Sequence, residues 1–267
     1  MLTGLLQQKG ESLHDHVFGT YITLRRGMAI MAAAFPLLLW ILGRLLYGID
    51  LQGSMSAYYF AVSTPGSDAF PMRTWFVGLL FAIGGFLYLY KGFTDRENFA
   101  LNLAGVFAVM VAVFPMDRDD AAGAEQSVAS QLSIHGASAL LLFACLAYVA
   151  VACAGKTLRL LPPAHKGKEQ AFRRAYKIIG WSMFAAPVGA FVYTLVSGDR
   201  ARYVFVVEAL GIWAFSAYWA VKSYEMSLSR AEKKVLEERA QDLPDAAVKD
   251  GDRGRDATGP VHVPANA

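Results

Sequence analysis

The feature that most constrains this chain is the recurrence of apolar runs about 20 residues long, the length a helix needs to cross a bilayer. Hydrocarbon offers no water to backbone N–H and C=O groups, so a spanning segment pairs them internally as a helix or in a closed barrel. Six runs fit the helical case, over 27–47, 74–93, 98–116, 132–154, 177–197 and 202–222. The chain is 55% hydrophobic over 267 residues, with a mean hydropathy of +0.34. That is too apolar for an ordinary soluble domain. The expected fold class is all-α, a polytopic membrane protein with six transmembrane helices in one bundle.

Four segments follow. Residues 1–26 read as a cytoplasmic N-terminal segment without an apolar core of their own, so no cleavable signal peptide is expected. Residues 27–222 form the transmembrane domain. Residues 223–243 carry a capping-box pattern, Ser229-Arg-Ala-Glu232, followed by Val235, Leu236, Ala240 and Leu243 at helical spacing, which predicts an amphipathic helix near 228–243. From Pro244 to 267 the chain is charged and poor in large apolar residues, the composition of a disordered tail.

Turn chemistry supports these boundaries. Pro65-Gly66 and Pro71 punctuate the loop 48–73. Thr94-Asp-Arg-Glu-Asn98 joins spans two and three as a hairpin, with Asp95 and Glu97 favouring the N-terminus of span three through its dipole. Lys91, Arg96 and Asn102 surround that turn. Gly84-Gly85 permits close helix approach, and Pro36 and Pro187 favour kinks. Cys145 and Cys153 lie eight residues apart, roughly 12 Å along a helix, too far to bond each other. His14 and His16, at i and i+2, do not share a helix face and do not suggest a metal.

Lys and Arg near membrane ends set orientation. Sixteen of them lie within 1–26, at Lys91 and Arg96, within 156–177 and within 222–234, against four (Arg73, Arg118, Arg200, Arg202) in the outer loops. Both termini are therefore expected in the cytoplasm, with 48–73, 117–131 and 198–201 outside. The basic loop and the tail helix would meet anionic lipid, at about 1 kcal/mol per cation near the surface.

This topology gathers polar residues at the outer boundary. Ser54, Ser56, Tyr58 and Tyr59 stand in the stretch Gly53-Ser-Met-Ser-Ala-Tyr-Tyr-Phe60. Arg73 opens span two, and Asp117 ends span three. His135 and Tyr193 lie one turn inside spans four and five, and Glu208 roughly 9 Å inside span six. An ionisable residue within a span costs a few kcal/mol, so each needs a partner or a role. These eight residues, Ser54, Ser56, Tyr58, Tyr59, Arg73, Asp117, His135 and Glu208, are the candidate ligand-binding set. Ordinary structural roles stand beside that reading. His135 can serve as a hydrogen bonder, and Glu208 can pair with Arg73 or Arg202. Tyr58, Tyr59 and Arg73 can anchor at the interface, and Asp117, Asp119 and Asp120 can form a solvated acidic loop. Glu208, Ile212, Phe215, Trp219 and Lys222 share a stripe of span six expected to face the bundle, with Trp213 and Trp219 alternatively against lipid.

Phosphate-loop, His-Glu-x-x-His, Gly-x-Ser-x-Gly, voltage-sensor and channel-filter sequences are absent. The blocks Ser54-Met-Ser-Ala-Tyr-Tyr59, Arg73-x-Trp-Phe-Val-Gly78, Tyr90-Lys-Gly92, Asn102-Leu-Ala-Gly105, Val113-Phe-Pro115, Ile134-His-Gly-x-Ser-Ala139 and Glu208-x-x-x-Ile-Trp-x-Phe-Ser216 resemble a family of bacterial six-span proteins of no assigned activity. The resemblance implies a multi-pass protein of the bacterial inner (cytoplasmic) membrane. More remotely the chain is similar to the CREST group of membrane hydrolases and receptors, which hold zinc with Ser, Asp and His. Ser54 or Ser56, Asp117 and His135 match three of those positions, while the closing His-x-x-x-His pair has no counterpart in span six. In span number and an early Ser-rich outer loop it also resembles the Frag1/DRAM/Sfk1 membrane proteins.

Two functions are carried forward. One is a non-enzymatic membrane protein that binds a lipid or small polar ligand in an outer-side pocket. The other is a membrane-embedded lipid hydrolase using His135 with Asp117 and Glu208. Transport through Glu208 and His135 is a further alternative. No cofactor and no metal are expected. The expected partners are membrane lipids and not nucleic acid, and a protein partner or homo-oligomer is compatible with the same pattern.

Overall fold

The computed structural model describes residues 2–66, 68–117, 133–197 and 203–229. The acidic and basic residues at 118–120, 200 and 202, the side chain of Tyr193 and the chain beyond Ser229, including most of the expected amphipathic helix, lie outside the described residues. The described residues contain helices and loops and no strand. Among the described residues six α-helices follow in order: α1 Leu2–Tyr47, α2 Pro71–Leu89, α3 Asp95–Val113, α4 Ile134–Tyr148, α5 Glu169–Ser197 and α6 Tyr203–Ser229. Among the described residues five segments are long and apolar enough to cross a membrane: Gly19–Tyr47, Pro71–Leu89, Asp95–Val113, Ile134–Leu160 and Val204–Ser229. The chain is thus an all-helical, multi-pass membrane protein. The expected span 177–197 falls within α5, which contains Pro187.

Local chemistry explains where the helices begin and end. Gly48, with φ of 65°, closes α1 in the left-handed conformation that glycine adopts at no steric cost, and its N–H donates to the Arg44 carbonyl at 3.2 Å. Gly66, with φ of 82°, takes the positive-φ position after Pro65. Pro71 opens α2, where its missing N–H would be unpaired anyway. Thr94 caps α3 by accepting from the Glu97 amide at 3.3 Å, and the Glu97 carboxylate reaches back to the Phe93 amide at 3.1 Å. Asn98 accepts from the Gly92 amide at 3.2 Å. The expected clasp at the 2–3 turn is therefore a set of backbone caps. Ser133 caps α4 by accepting from the Gly136 amide at 3.3 Å, which sets His135 in its first turn.

Residues 22–229 form one compact unit, in which successive helices pack as neighbours from α2 through α6. Trp213 Nε1 and Ser216 Oγ of α6 donate to the Ala33 and Ala29 carbonyls of α1, at 3.1 Å and 2.7 Å. α1 through α4 and α6 surround a central cavity of about 90 Å³, while α5 contributes nothing to its lining. The α2–α3 crossing brings backbone against backbone. A Cβ on Gly105 would stand 2.6 Å from the Gly84 carbonyl oxygen, and one on Gly84 would stand 2.9 Å from that of Gly105. Gly85, the other half of the expected glycine pair, faces open space.

Three charged residues lie deeper than their sequence positions suggest. Arg25 belongs to the segment read as a solvated lead, yet α1 is continuous through it and Arg25 is fully buried. Its guanidinium donates to Tyr90 Oη at 3.0 Å, and Tyr90 packs edge-on against Trp219 at 4.9 Å. Trp219 is itself buried, which places it in the bundle and not against lipid. Lys222, counted above among the membrane-surface cations, is 2% exposed. Its Nζ donates to the Ala154 carbonyl at 3.1 Å and to Thr157 Oγ1, and it pairs with Glu225 at 3.0 Å. Glu225, also fully buried, accepts from the Tyr176 and Thr157 hydroxyls as well. Two charges withdrawn from water persist only when paired and hydrogen-bonded in this way.

Gly105→Ala should lower the thermal midpoint of the purified protein by the equivalent of about 1–3 kcal/mol, because a backbone oxygen must shift to admit the methyl. Gly85→Ala should leave it unchanged. Thermal unfolding of the two variants in the same detergent checks the difference.

Candidate functional site

The loop between α1 and α2 is fixed from both sides. Ser54, 4% exposed, accepts from the Ala57 amide at 3.1 Å and so shapes the short 3₁₀ turn Ser56–Tyr59. Its hydroxyl also faces the Met116 sulfur at 3.9 Å. From α6, the Phe205 amide donates to the Gly53 carbonyl at 3.0 Å. Glu208 accepts from the Met55 amide at 2.6 Å, a short, charge-assisted bond. Among the described residues no carboxylate–Arg73 ion pair forms. Arg73 instead lies over the Tyr59 and Phe70 rings, at 4.4 Å and 4.3 Å, and its Nε donates to the Tyr59 carbonyl at 3.3 Å. Cation–π contacts of this kind hold the guanidinium at the head of α2.

His135 is 8% exposed. Its Nδ1 lies 2.9 Å from the Phe114 carbonyl oxygen and 3.2 Å from that of Val111, both at the C-terminal end of α3. Two acceptors at one nitrogen require that nitrogen to carry the proton. With the ring neutral, Nε2 is then an acceptor, and Ser56 Oγ, 2.9 Å away, donates to it. The tautomer follows from this network. The result is a serine whose proton is directed at a histidine base, with the base oriented from behind by two backbone carbonyls where a carboxylate serves in the familiar triads.

Ser56 and Glu208 are the polar side chains lining the central cavity, whose other walls are apolar, among them Phe35, Leu80, Val111 and Phe215. Glu208, Ile212 and Phe215 all face it from α6, in agreement with the stripe read from the sequence.

The eight expected residues thus separate into groups. Ser56 and Glu208 line the cavity, and His135 bonds to Ser56 without lining it. Ser54 and Tyr58 lie beneath them as supports of the turn. Tyr59 and Arg73 form an aromatic–cation cluster at the head of α2. Asp117 is exposed and does not bond to His135, whose Nδ1 faces the two carbonyls. Among the described residues, no group of three or more His, Cys, Asp or Glu is placed to hold a metal ion. Sequence reasoning missed the backbone partners of His135 and Glu208 entirely. It also missed the Lys222–Glu225–Thr157–Tyr176 cluster, for which the Lys222 and Glu225 spacing of i, i+3 was the available signal.

Tyr58 packs against Phe205 at 6.0 Å between ring centres, and Gly43 lets it approach α1, since a Cβ there would stand 3.1 Å from its ring. Its hydroxyl is fully buried and has no partner in hydrogen-bond geometry among the described residues. Burial pushes the phenol above its ordinary range; the nearby Gln52 backbone amide offsets part of this and Asp50 adds to it.

No family model, no curated protein and no solved structure matches the chain.

Tyr58→Phe removes a buried hydroxyl without a partner, so stability near neutral pH should be unchanged or slightly raised. The raised phenol pKa means that the folded state favours the neutral ring. That contribution is present below about pH 10, the ordinary tyrosine value, and is lost as pH rises through the folded value. Melting curves from pH 7 to 11 should therefore fall less steeply in Tyr58→Phe than in the parent protein.

Proposed function

We propose that this chain is a six-span protein of the bacterial cytoplasmic membrane, both termini inside, that binds a lipid through the cavity beneath its outer face. The observation that carries the reading is the cavity's composition: apolar walls contributed by five helices, with Ser56 and Glu208 at one end. Ligand sites have this form, mostly hydrophobic with a few placed polar groups that fix orientation. At about 90 Å³ the apolar part has room for only the few carbons of an acyl chain nearest its ester or hydroxyl, and that polar group would meet Ser56 and Glu208. The proposed orientation is supported by the 16-to-4 distribution of Lys and Arg between the two sets of loops. The resemblance to bacterial six-span proteins agrees with it.

The test is lipid retained by the purified protein and counted by native mass spectrometry. Ala139→Phe, which fills the cavity and leaves its polar end intact, should reduce the retained lipid at least severalfold. Asp117→Ala should leave it unchanged. Retention unaffected by Ala139→Phe would overturn the cavity as the binding site.

One observation favours a second reading, hydrolysis of an acyl ester: the 2.9 Å contact of Ser56 Oγ with His135 Nε2. Ser56 Oγ would attack the ester carbonyl as its proton passes to Nε2. That proton would then leave with the alcohol as the ester bond breaks, and water would release the acyl group from Ser56. Glu208, bound to the Met55 amide, would hold the turn that carries Ser56. Under this reading Ser56→Ala and His135→Ala each lower the hydrolysis of a p-nitrophenyl acyl ester by about 10²–10⁴-fold. Equal rates in parent and variants would leave lipid binding as the function.

A further inference from the structure

A second pocket lies between the end of α4 and the start of α5, and its chemistry is the opposite of the first. After Tyr148 the helix widens into a π-helical stretch, Val149–Cys153, and then tightens into a 3₁₀ stretch, Ala154–Leu160. π-Turns inside helices are frequent at functional sites. Here the turn gives the pocket a wall of small residues, and the next turn sends Lys156 and Arg159 to its rim. Opposite them, Glu169, Arg173 and Lys177 recur at i, i+4 and i+8, one face of the first turns of α5. The pocket, open on one side, has a volume of about 390 Å³.

The charge balance is one-sided. Lys156, Arg159, Arg173 and Lys177 line the pocket against the single carboxylate of Glu169, which is taken up by Arg173 at 2.8 Å. Among the described residues Lys156, Arg159 and Lys177 make no ion pair. The back wall is Tyr176, whose hydroxyl is bonded to the buried Glu225 and so held in place. Three uncompensated cations around a concave space with a rigid floor suit a compact dianion or a phosphodiester. Basic pockets between membrane helices bind phospholipid headgroups on this basis.

We propose that this pocket is a phosphate-binding site, and that its ligand is the phosphate of an anionic phospholipid headgroup or a soluble phosphate. The site is independent of the cavity that holds Ser56 and Glu208. It stands on the face proposed to be cytoplasmic, where either source of phosphate is at hand.

The experiment compares two double variants, each removing two exposed cations. Lys156→Ala with Lys177→Ala removes two of the pocket's three unpaired cations, and Lys166→Ala with Arg174→Ala removes charges from neighbouring surface outside it. Both are checked for an unchanged elution volume and thermal midpoint. Retention of phosphatidylglycerol against phosphatidylcholine is measured by native mass spectrometry, and stabilisation by inorganic phosphate is measured against chloride at equal ionic strength. The pocket variant should lose affinity by about tenfold or more, and the surface variant by less than about twofold. Retained phosphatidylglycerol that phosphate displaces identifies a lipid headgroup as the ligand. Stabilisation by phosphate without preference between the lipids identifies a soluble phosphate. Equal losses in the two variants, or no response to either probe, overturn the proposal.

Discussion

Everything in this bundle answers to one constraint: a polar group carried into hydrocarbon must find its partner within the protein. At one end the unpaired groups are backbone atoms. The carbonyls of Val111 and Phe114, left over where α3 stops, are met by His135. The Met55 amide, left over in an irregular loop, is met by Glu208. At the other end they are side chains, and Lys222, Glu225, Thr157 and Tyr176 satisfy one another. The intramembrane histidine and glutamate therefore have structural work. That work also gives His135 its chemical character, since securing Nδ1 is what makes Nε2 an acceptor for Ser56.

The two ends lie along the same helix. Glu208 and Lys222 are 14 positions apart on α6, roughly 21 Å at the rise of an α-helix. Between them Ile212 and Phe215 face the cavity and Trp219 fills the core. One stripe of α6 thus runs from the polar head of an apolar cavity to a buried ion pair that stands behind a basic pocket. α5 lines the basic pocket and takes no part in the cavity, so the two spaces share few walls.

Five of the six expected spans were legible because length and hydropathy carry them directly, and so were the turns at Pro65-Gly66 and Thr94. The stripe on α6 was legible as periodicity. What escaped was depth and partnership. Arg25 and Lys222 sit near the ends of apolar runs, where long cationic side chains ordinarily reach water, and a linear sequence does not distinguish that from burial against Tyr90 or Glu225. His135 was visible as an ionisable group needing a partner. The partners it takes are main-chain carbonyls, which every residue has and no pattern marks. For that reason Asp117 looked like the natural orienting acid, although the chain carries it to an exposed position. Ser54 and Ser56, two positions apart, looked equivalent. The 3₁₀ turn assigns one to the backbone and the other to the cavity.

The π-helical stretch at Val149–Cys153 has a consequence for anyone drawing a helical wheel through this part of the chain. The wide turn lags the projection continued from Ile134, and the 3₁₀ stretch that follows, at about 3.0 residues per turn, regains about 20° per residue. On an unbroken wheel the small residues of Val149–Cys153 would therefore be plotted ahead of their true azimuths, while by Thr157 the two distortions largely offset each other. The widened and the tightened turn together re-aim the small residues that wall the basic pocket and still leave Thr157 in the core.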